Sequence, residues 1–117
     1  MARRAMWIVG PVLGVGLLLA GCAAEAPAEP VATNVVDLPP SYKFVPEAIT
    51  VVDGTTVTWT NNDNFSHNVR LLDEGGEMLE MAPGESVSYT ITGPGEHRYD
   101  CSYHPKDMTG VVVVTSG

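Results

Sequence analysis

The segment "YDCSYHPKDMTG", residues 99–110, places three kinds of metal-binding side chain within eight residues. Cys101 offers a thiolate, His104 an imidazole and Met108 a thioether. These soft and borderline ligands together suit copper better than most biological metals. Because one segment supplies only three ligands, we expect a fourth from another part of the chain.

Two other histidines are candidates for that fourth ligand. His97 shares a strand face with Cys101, but four residues of extended chain put the two Cα atoms roughly 13 Å apart. His97 is therefore predicted to be a hydrogen-bonded core or half-buried histidine. His67, in "NNDNFSHNVRLL", lies far enough before Cys101 to meet it from another strand across a sandwich. Two histidines, a cysteine and a methionine are the ligands of a blue-copper site, whereas His67 by itself could equally be a loop histidine.

The elements that must position these residues are strands. In "ITVVDGTTVTWTN", Val57 and Trp59 alternate with threonines after an Asp53-Gly54 turn, and "ESVSYTIT" alternates in the same way. The run "GVVVVTSG" is typical of a strand buried on both faces. No stretch shows a sustained helical period, so the fold class is predicted to be all-β, an antiparallel sandwich or barrel.

The N-terminal residues have the layout of an export signal. Two arginines precede the apolar run "WIVGPVLGVGLLLA" and the small residues before Cys22. A membrane span is the alternative, but the run is shorter than the roughly 20 apolar residues that a span needs. We predict a signal peptide over residues 1–21.

Cys22 ends the tetrad Leu19-Ala20-Gly21-Cys22, which resembles the lipobox of bacterial lipoproteins. In that family the cysteine becomes the lipid-bearing first residue of the mature chain. A lipid anchor at Cys22 leaves Cys101 as a single thiol, for which a metal is a suitable occupant. The alternative is a disulfide between the two cysteines.

Composition divides the rest of the chain into a tether and one domain. Residues 22–33 contain Ala, Pro and Glu and read as a flexible tether, and residues 34–117 suffice for one small domain. Without Arg3 and Arg4, four basic residues remain against fourteen acidic ones, a formal charge of −10 for the mature chain. This charge argues against nucleic acid or an anionic lipid surface as a partner.

Residues from about Tyr42 to Thr115 resemble the plastocyanin and amicyanin branch of the cupredoxins. The resemblance is carried by "FVPEAITVVDGTTVTWTNND", "HNV", "PGES" and "GEHRYDCSYHPKDMTGVVVV". It implies a cupredoxin-like Greek-key β-sandwich or barrel of about seven to eight strands.

The resemblance also assigns roles to individual residues. It implies that His67 and His104 bind copper through ring nitrogens, Cys101 through its thiolate, and Met108 as a long axial ligand. Asn68 matches a position whose side chain ties the two ligand-bearing loops together. Three residues separate His104 from Met108, between the four of plastocyanins and the two of amicyanins, and Pro105 resembles amicyanin.

Such a site is expected to hold one copper ion that cycles between Cu(I) and Cu(II). Four protein ligands leave no open position for a substrate, so we predict a one-electron carrier and not an enzyme. A copper-binding or copper-delivery lipoprotein is the alternative, and a metal-free adhesion module is a third possibility. Met78 and Met81 are predicted to be hairpin or surface residues, not ligands.

The resemblance implies that the ring edge of His104 reaches the surface through an apolar docking patch. Its predicted members are Phe65, Pro83, Tyr103 and Pro105. The negative charge predicts a redox partner with a basic docking face, such as a cytochrome or an oxidase domain. We expect an exported monomer, anchored as a lipoprotein to the cell membrane and facing the periplasm or the cell exterior.

Overall fold

The computed structural model of the protein describes residues 29–117. The predicted signal peptide and the predicted lipid anchor Cys22 lie outside the described residues. The nine strands found there are β1 (Val31–Ala32), β2 (Val35–Leu38), β3 (Ala48–Val52), β4 (Thr55–Asn61), β5 (His67–Leu71), β6 (Glu77–Met81), β7 (Ser86–Ile91), β8 (Gly95–Asp100) and β9 (Thr109–Thr115). In residues 29–117, no helix is long and apolar enough to cross a membrane.

The strands form two sheets. One sheet has six strands in the order β1-β3-β9-β8-β5-β6, and the other has three in the order β2-β4-β7. The all-β prediction is confirmed, but the sheets are mixed and not purely antiparallel, because β1/β3, β3/β9 and β2/β4 are parallel pairs. The Asp53-Gly54 turn explains part of this difference, since it carries the chain from one sheet to the other instead of closing a hairpin.

The first strand begins inside the predicted tether. Val31 and Ala32 pair in parallel with Ile49 and Thr50 at the edge of the six-stranded sheet. The folded part therefore starts before Asn34, where the domain was predicted to begin. Both residues of this strand are exposed, so the strand is held by backbone pairing and shows little of the apolar alternation that sequence patterns detect.

The alternation in β4 separates the core from solvent as predicted. Val57 and Trp59 are fully buried, while the threonines that alternate with them point outward. Their hydroxyls make three cross-strand hydrogen bonds to β7, each of 2.8 Å: Thr56 to Thr90, Thr58 to Ser88 and Thr60 to Ser86. These pairs fix the register between the two strands.

The C-terminal strand is buried on one face, not on both. In β9, Val112 and Val114 are buried, whereas Val111 and Val113 are only partly covered. The strand lies between β3 and β8 within its sheet, so its backbone is paired on both sides. The continuous valine run reflects this central position and not a second covering layer.

An aromatic cluster fills the core beneath the cysteine. The ring of Tyr99 lies edge-on to Phe44 and to Trp59, with ring centroids 4.8 Å and 5.3 Å away. Gly110 on β9 makes room for it, because a Cβ atom there would lie 2.3 Å from Cζ of Tyr99. The core therefore fixes the strand end that leads into Cys101.

Strand direction brings the predicted ligands to one end of the sandwich. Since β5 and β8 are antiparallel, the first residue of β5, His67, lies at the same end as the last residue of β8, Asp100. The start of β9 is at this end too. We call it the ligand end, and we call residues 101–108, which join β8 to β9 there, the ligand loop.

Candidate metal centre

The ligand loop is closed by its own backbone. Cys101 donates its N–H to the carbonyl oxygen of Met108 at 3.1 Å, and the Met108 N–H donates to His104 at 2.9 Å. Pro105 occupies the second position of a turn closed by the Asp107 N–H and the His104 carbonyl oxygen, where its fixed φ is favourable. These bonds hold the first and last candidate ligands of the loop side by side.

His67 meets Cys101 inside the protein. Its Nδ1 atom lies 3.7 Å from the Cys101 Sγ atom. His67, Cys101 and Met108 are fully buried. The His104 ring is half-buried, with its centroid 5.7 Å from that of His67 and the two ring planes 61° apart. The structure thus brings all four predicted ligands to the ligand end, three of them beneath the surface.

A buried carboxylate contacts the far side of His67. The ring Nε2–H donates to Oδ2 of Asp63 at 2.8 Å, and both side chains are almost entirely shielded from solvent. The hydrogen bond from His67 holds the pKa of Asp63 below its usual value, although burial opposes this. Asp63 was not among the predicted site residues. Its only signal in the sequence is an acid four positions before a candidate ligand.

Asn68 joins β5 to the ligand loop. Its Oδ1 accepts a hydrogen bond of 2.8 Å from the Ser102 N–H, and its Nδ2 donates to the Ser102 hydroxyl at 2.7 Å. The Asn68 backbone N–H also points at the Cys101 sulfur, 3.5 Å away. These contacts are the link between the two ligand-bearing segments that the resemblance implies for Asn68.

An aromatic residue that the sequence did not single out covers the histidine of the ligand loop. The ring of Tyr42 stacks on His104, with centroids 4.5 Å apart and planes 17° apart. Tyr42 also lies against Phe65, at 6.2 Å, so it joins that residue to the loop. Tyr42 is in the segment between β2 and β3, far from the ligands in sequence, and no periodicity marks it.

The predicted docking patch consists of exposed residues. Phe65 is 58% exposed and Tyr103 52%, and Pro83 and Pro105 are exposed as well. The Tyr103 hydroxyl donates to Oε1 of Glu80 at 2.7 Å, and this hydrogen bond raises the pKa of Tyr103.

Other residues considered as ligands lie elsewhere. His97 is half-buried, and both of its ring nitrogens contact acceptors outside the ligand end, as its predicted structural role requires. Met78 is exposed on β6. Met81 lies in the β5–β6 hairpin as predicted, but it is a buried core residue and not a surface residue, because it pairs with His67 on the covered side of that hairpin.

The donor set at the ligand end fits copper. It combines a shielded thiol, an imidazole nitrogen beside the sulfur and a buried thioether, and soft sulfur with imidazole is a set that copper favours. Across residues 29–117, His, Cys, Asp and Glu side chains do not alone form a group of three or more that could hold a metal ion.

The fold and the donor set are those of a cupredoxin, a small β-sandwich that binds copper. Residues 33–115 match the family described as copper binding proteins, plastocyanin/azurin family. The chain belongs to this family, whose cofactor is one copper ion that cycles between Cu(I) and Cu(II).

Curated relatives include chloroplast plastocyanins. The chain is 32% identical to that of Chlamydomonas reinhardtii over 87 residues, 63% of this chain and 59% of the relative. It is 37% identical to that of Oryza sativa subsp. indica over 84 residues, 61% of this chain and 54% of the relative. The chain thus spans less than two thirds of the length of these relatives.

Solved structures of cupredoxins share the fold. A purple cupredoxin from Nitrosopumilus maritimus has a TM-score of 0.62 and 26% identity, over 71% of this chain and 100% of that protein. A methionine-to-glutamine mutant of amicyanin in its Cu(I) state has a TM-score of 0.61 and 34% identity, over 69% of this chain and 80% of amicyanin.

Proposed function

We propose that this chain is a blue-copper protein that carries single electrons between membrane-associated redox partners. His67, Cys101, His104 and Met108 would bind the copper ion. The observation that carries this proposal is the position of the His67 Nδ1 atom, 3.7 Å from the buried Cys101 sulfur, at the end of the sandwich where the ligand loop supplies the other two ligands.

The scaffold holds the ligands in place during electron transfer. Copper, when bound, supplies the Cu(II)/Cu(I) couple. His67 is at the first position of a strand, and Cys101 and Met108 are joined through their backbones. Because these positions are fixed by the sheet and the ligand loop, little rearrangement accompanies a change of one electron. A site that uses four protein ligands has no position for a substrate, which supports a carrier and not an enzyme.

Copper delivery, the alternative, is less well supported. A delivery protein exchanges its metal and would need ligands within reach of a partner. Here His67, Cys101 and Met108 have no exposed surface, and the exposed Met78 lies on β6 outside the loop.

The surface at the ligand end suits a brief encounter with a basic partner. Tyr103 and Pro105 of the docking patch flank the half-buried His104 in the ligand loop, and Tyr42, which stacks on His104, also contacts Phe65. Exposed carboxylates lie beside the patch: Glu80 holds Tyr103, and Glu85 accepts the N–H of Ala82 next to Pro83. Redox encounters bury little area and take much of their specificity from charge. We therefore propose that the partner is a cytochrome or oxidase domain with a basic face. We further propose that the protein acts as a monomer and does not bind nucleic acid.

The N-terminal residues would place this carrier at a membrane. We propose cleavage after residue 21, a lipid on Cys22 and a location facing the periplasm or the cell exterior. The lipobox-like tetrad and the apolar run before it support this proposal. The tether would raise the local concentration of carrier and partner on one membrane.

A redox titration tests electron carriage directly. The copper-loaded, signal-free chain should take up and release one electron per copper reversibly, with the visible band lost on reduction and recovered on oxidation. Release of copper on each reduction would support delivery instead, and a band that does not respond to reductant would refute the proposal.

A further inference from the structure

We infer that Asp63 is a positioning residue that fixes the ring of His67 for copper and places a negative charge beside the metal. The inference rests on the proposed function. Oδ2 of Asp63 accepts the Nε2–H of His67 at 2.8 Å, and the two side chains are 4% and 0% exposed.

The hydrogen bond decides which ring nitrogen carries the proton. A carboxylate only accepts hydrogen bonds, so the His67 nitrogen that faces it must be the protonated one. That leaves Nδ1 with its lone pair, and Nδ1 is the atom that faces the Cys101 sulfur at 3.7 Å. A partner of this kind orients a metal-binding histidine and makes it a stronger donor.

The carboxylate is itself held in place. Its Oδ1 accepts the Asn64 N–H at 2.6 Å, and the Asp63 backbone N–H donates to Oδ1 of Asn61 at 2.9 Å. Asn61, fully buried, donates in turn to the carbonyl oxygens of Phe65 and Met81. These four hydrogen bonds hold the segment from β4 to β5, and the Asp63 carboxylate cannot turn away from His67 without losing the one from Asn64.

Within residues 29–117, no lysine or arginine forms an ion pair with Asp63. Among the ion pairs formed by residues 29–117, Asp63 takes part only in the one with His67. A shielded negative charge near copper stabilises Cu(II) more than Cu(I), because Cu(II) carries one more positive charge and the interior screens weakly. Asp63 should therefore lower the midpoint potential of the site.

Two variants separate the hydrogen bond from the charge. Asp63→Asn keeps an oxygen acceptor but removes the charge, so the copper-loaded variant should stay coloured and its midpoint potential should rise. Asp63→Ala removes both, and its copper affinity should fall by about 10- to 100-fold. Asp73→Asn is the control, since Asp73 is an exposed carboxylate that pairs with Arg98 away from the ligand end. The midpoint potential of this variant should equal that of the unchanged chain.

The tautomer of His67 can be determined in the metal-free protein. Nitrogen-15 NMR of the metal-free, signal-free chain should show His67 protonated on Nε2, and Asp63→Ala should lose this single form. A His67 protonated on Nδ1 in the unchanged chain would overturn the positioning role. A coloured Asp63→Asn variant with the potential of the Asp73→Asn control would overturn the effect of the charge while leaving the proposed function intact. If the unchanged chain binds no copper, that result would instead refute the proposed function, and with it the proposed effect of the charge.

Discussion

At the scale of single residues, the four candidate ligands differ in how the sequence reveals them. Cys101, His104 and Met108 are visible as a cluster, because one loop carries all three. His67 is visible only through strand reasoning, which requires a partner across the sandwich. Asp63 and Tyr42 carry no pattern of their own, because their contacts with His67 and His104 arise from segments that the fold brings together.

Met108 is expected to tune the potential. It is fully buried at the end of the ligand loop, and a thioether bound weakly to copper would favour Cu(I). Met108→Gln replaces sulfur with a harder oxygen donor, so the midpoint potential should fall. A tenfold loss of preference for Cu(I) corresponds to about 59 mV for a one-electron couple. Redox titration of both copper-loaded chains checks this, and an unchanged or higher potential would show that the Met108 thioether does not bind the copper.

At the scale of elements, the sequence predicts the faces of single strands better than it predicts which strands pair. The alternation in β4 was sufficient to predict which residues face the core, since the pattern is set by the strand itself. The parallel pairing of β3 with β9 could not be predicted in this way, because strands that are neighbours in a sheet but distant in sequence leave no local signal. The same reason explains why the two-residue β1 was assigned to the tether.

Asn68 joins β5 to the ligand loop through two hydrogen bonds to Ser102. Asn68→Ala removes both hydrogen bonds to Ser102, and it leaves the partly buried Ser102 N–H without its acceptor. We expect the free energy of unfolding of the metal-free chain to fall by about 1–3 kcal/mol. Copper affinity should fall by about 10- to 100-fold. Denaturant unfolding and competition with a copper chelator measure the two effects.

Ser102→Ala is the matched control for Asn68. This variant removes only the hydroxyl and keeps the hydrogen bond from the residue 102 backbone N–H to Asn68. Its losses of stability and copper affinity should therefore be smaller. Equal losses in the two variants would show that the backbone contact contributes nothing to the link.

His97 connects two loops at the end opposite to the ligands. Its Nδ1 contacts Oε2 of Glu74 and its Nε2 contacts the Gly93 carbonyl oxygen, each at 2.6 Å. Burial lowers the pKa of His97, but the hydrogen bonds to Glu74 and Gly93 outweigh burial, so the pKa is raised overall. Two acceptors require a proton on each nitrogen, which only the charged ring supplies.

The raised pKa fixes the sign of the pH dependence. The folded state binds this proton more tightly than the unfolded state does, so the stabilisation is complete below the unfolded pKa of about 6.5 and is lost as pH rises through the folded pKa. The difference in unfolding free energy between the unchanged chain and His97→Gln should therefore shrink on going from about pH 6 to about pH 9. Glu74→Gln should weaken this trend, and a constant difference across the range would contradict the assignment.

At the scale of the whole molecule, charge governs the proposed encounter. The predicted mature chain has a formal charge of −10, with carboxylates beside the docking patch. Attraction to a basic partner acts over about 8 Å at 0.15 M salt. The bimolecular rate of electron transfer to such a partner, followed by stopped-flow absorbance, should therefore fall as ionic strength rises. A rate that stays constant or increases would leave the apolar patch as the recognition surface.

The central claim is a copper–thiolate bond at Cys101, and adding Cu(II) to the signal-free, reduced chain tests it most directly. Cys101 is buried and is the free cysteine within residues 29–117. One equivalent of Cu(II) should give an intense visible charge-transfer band. The Cys101→Ser variant should lack this band, and its circular dichroism spectrum should show the same β fold. A colourless unchanged chain that oxidises to a dimer through Cys101, or a Cys101→Ser variant with the same intense band, would contradict the account.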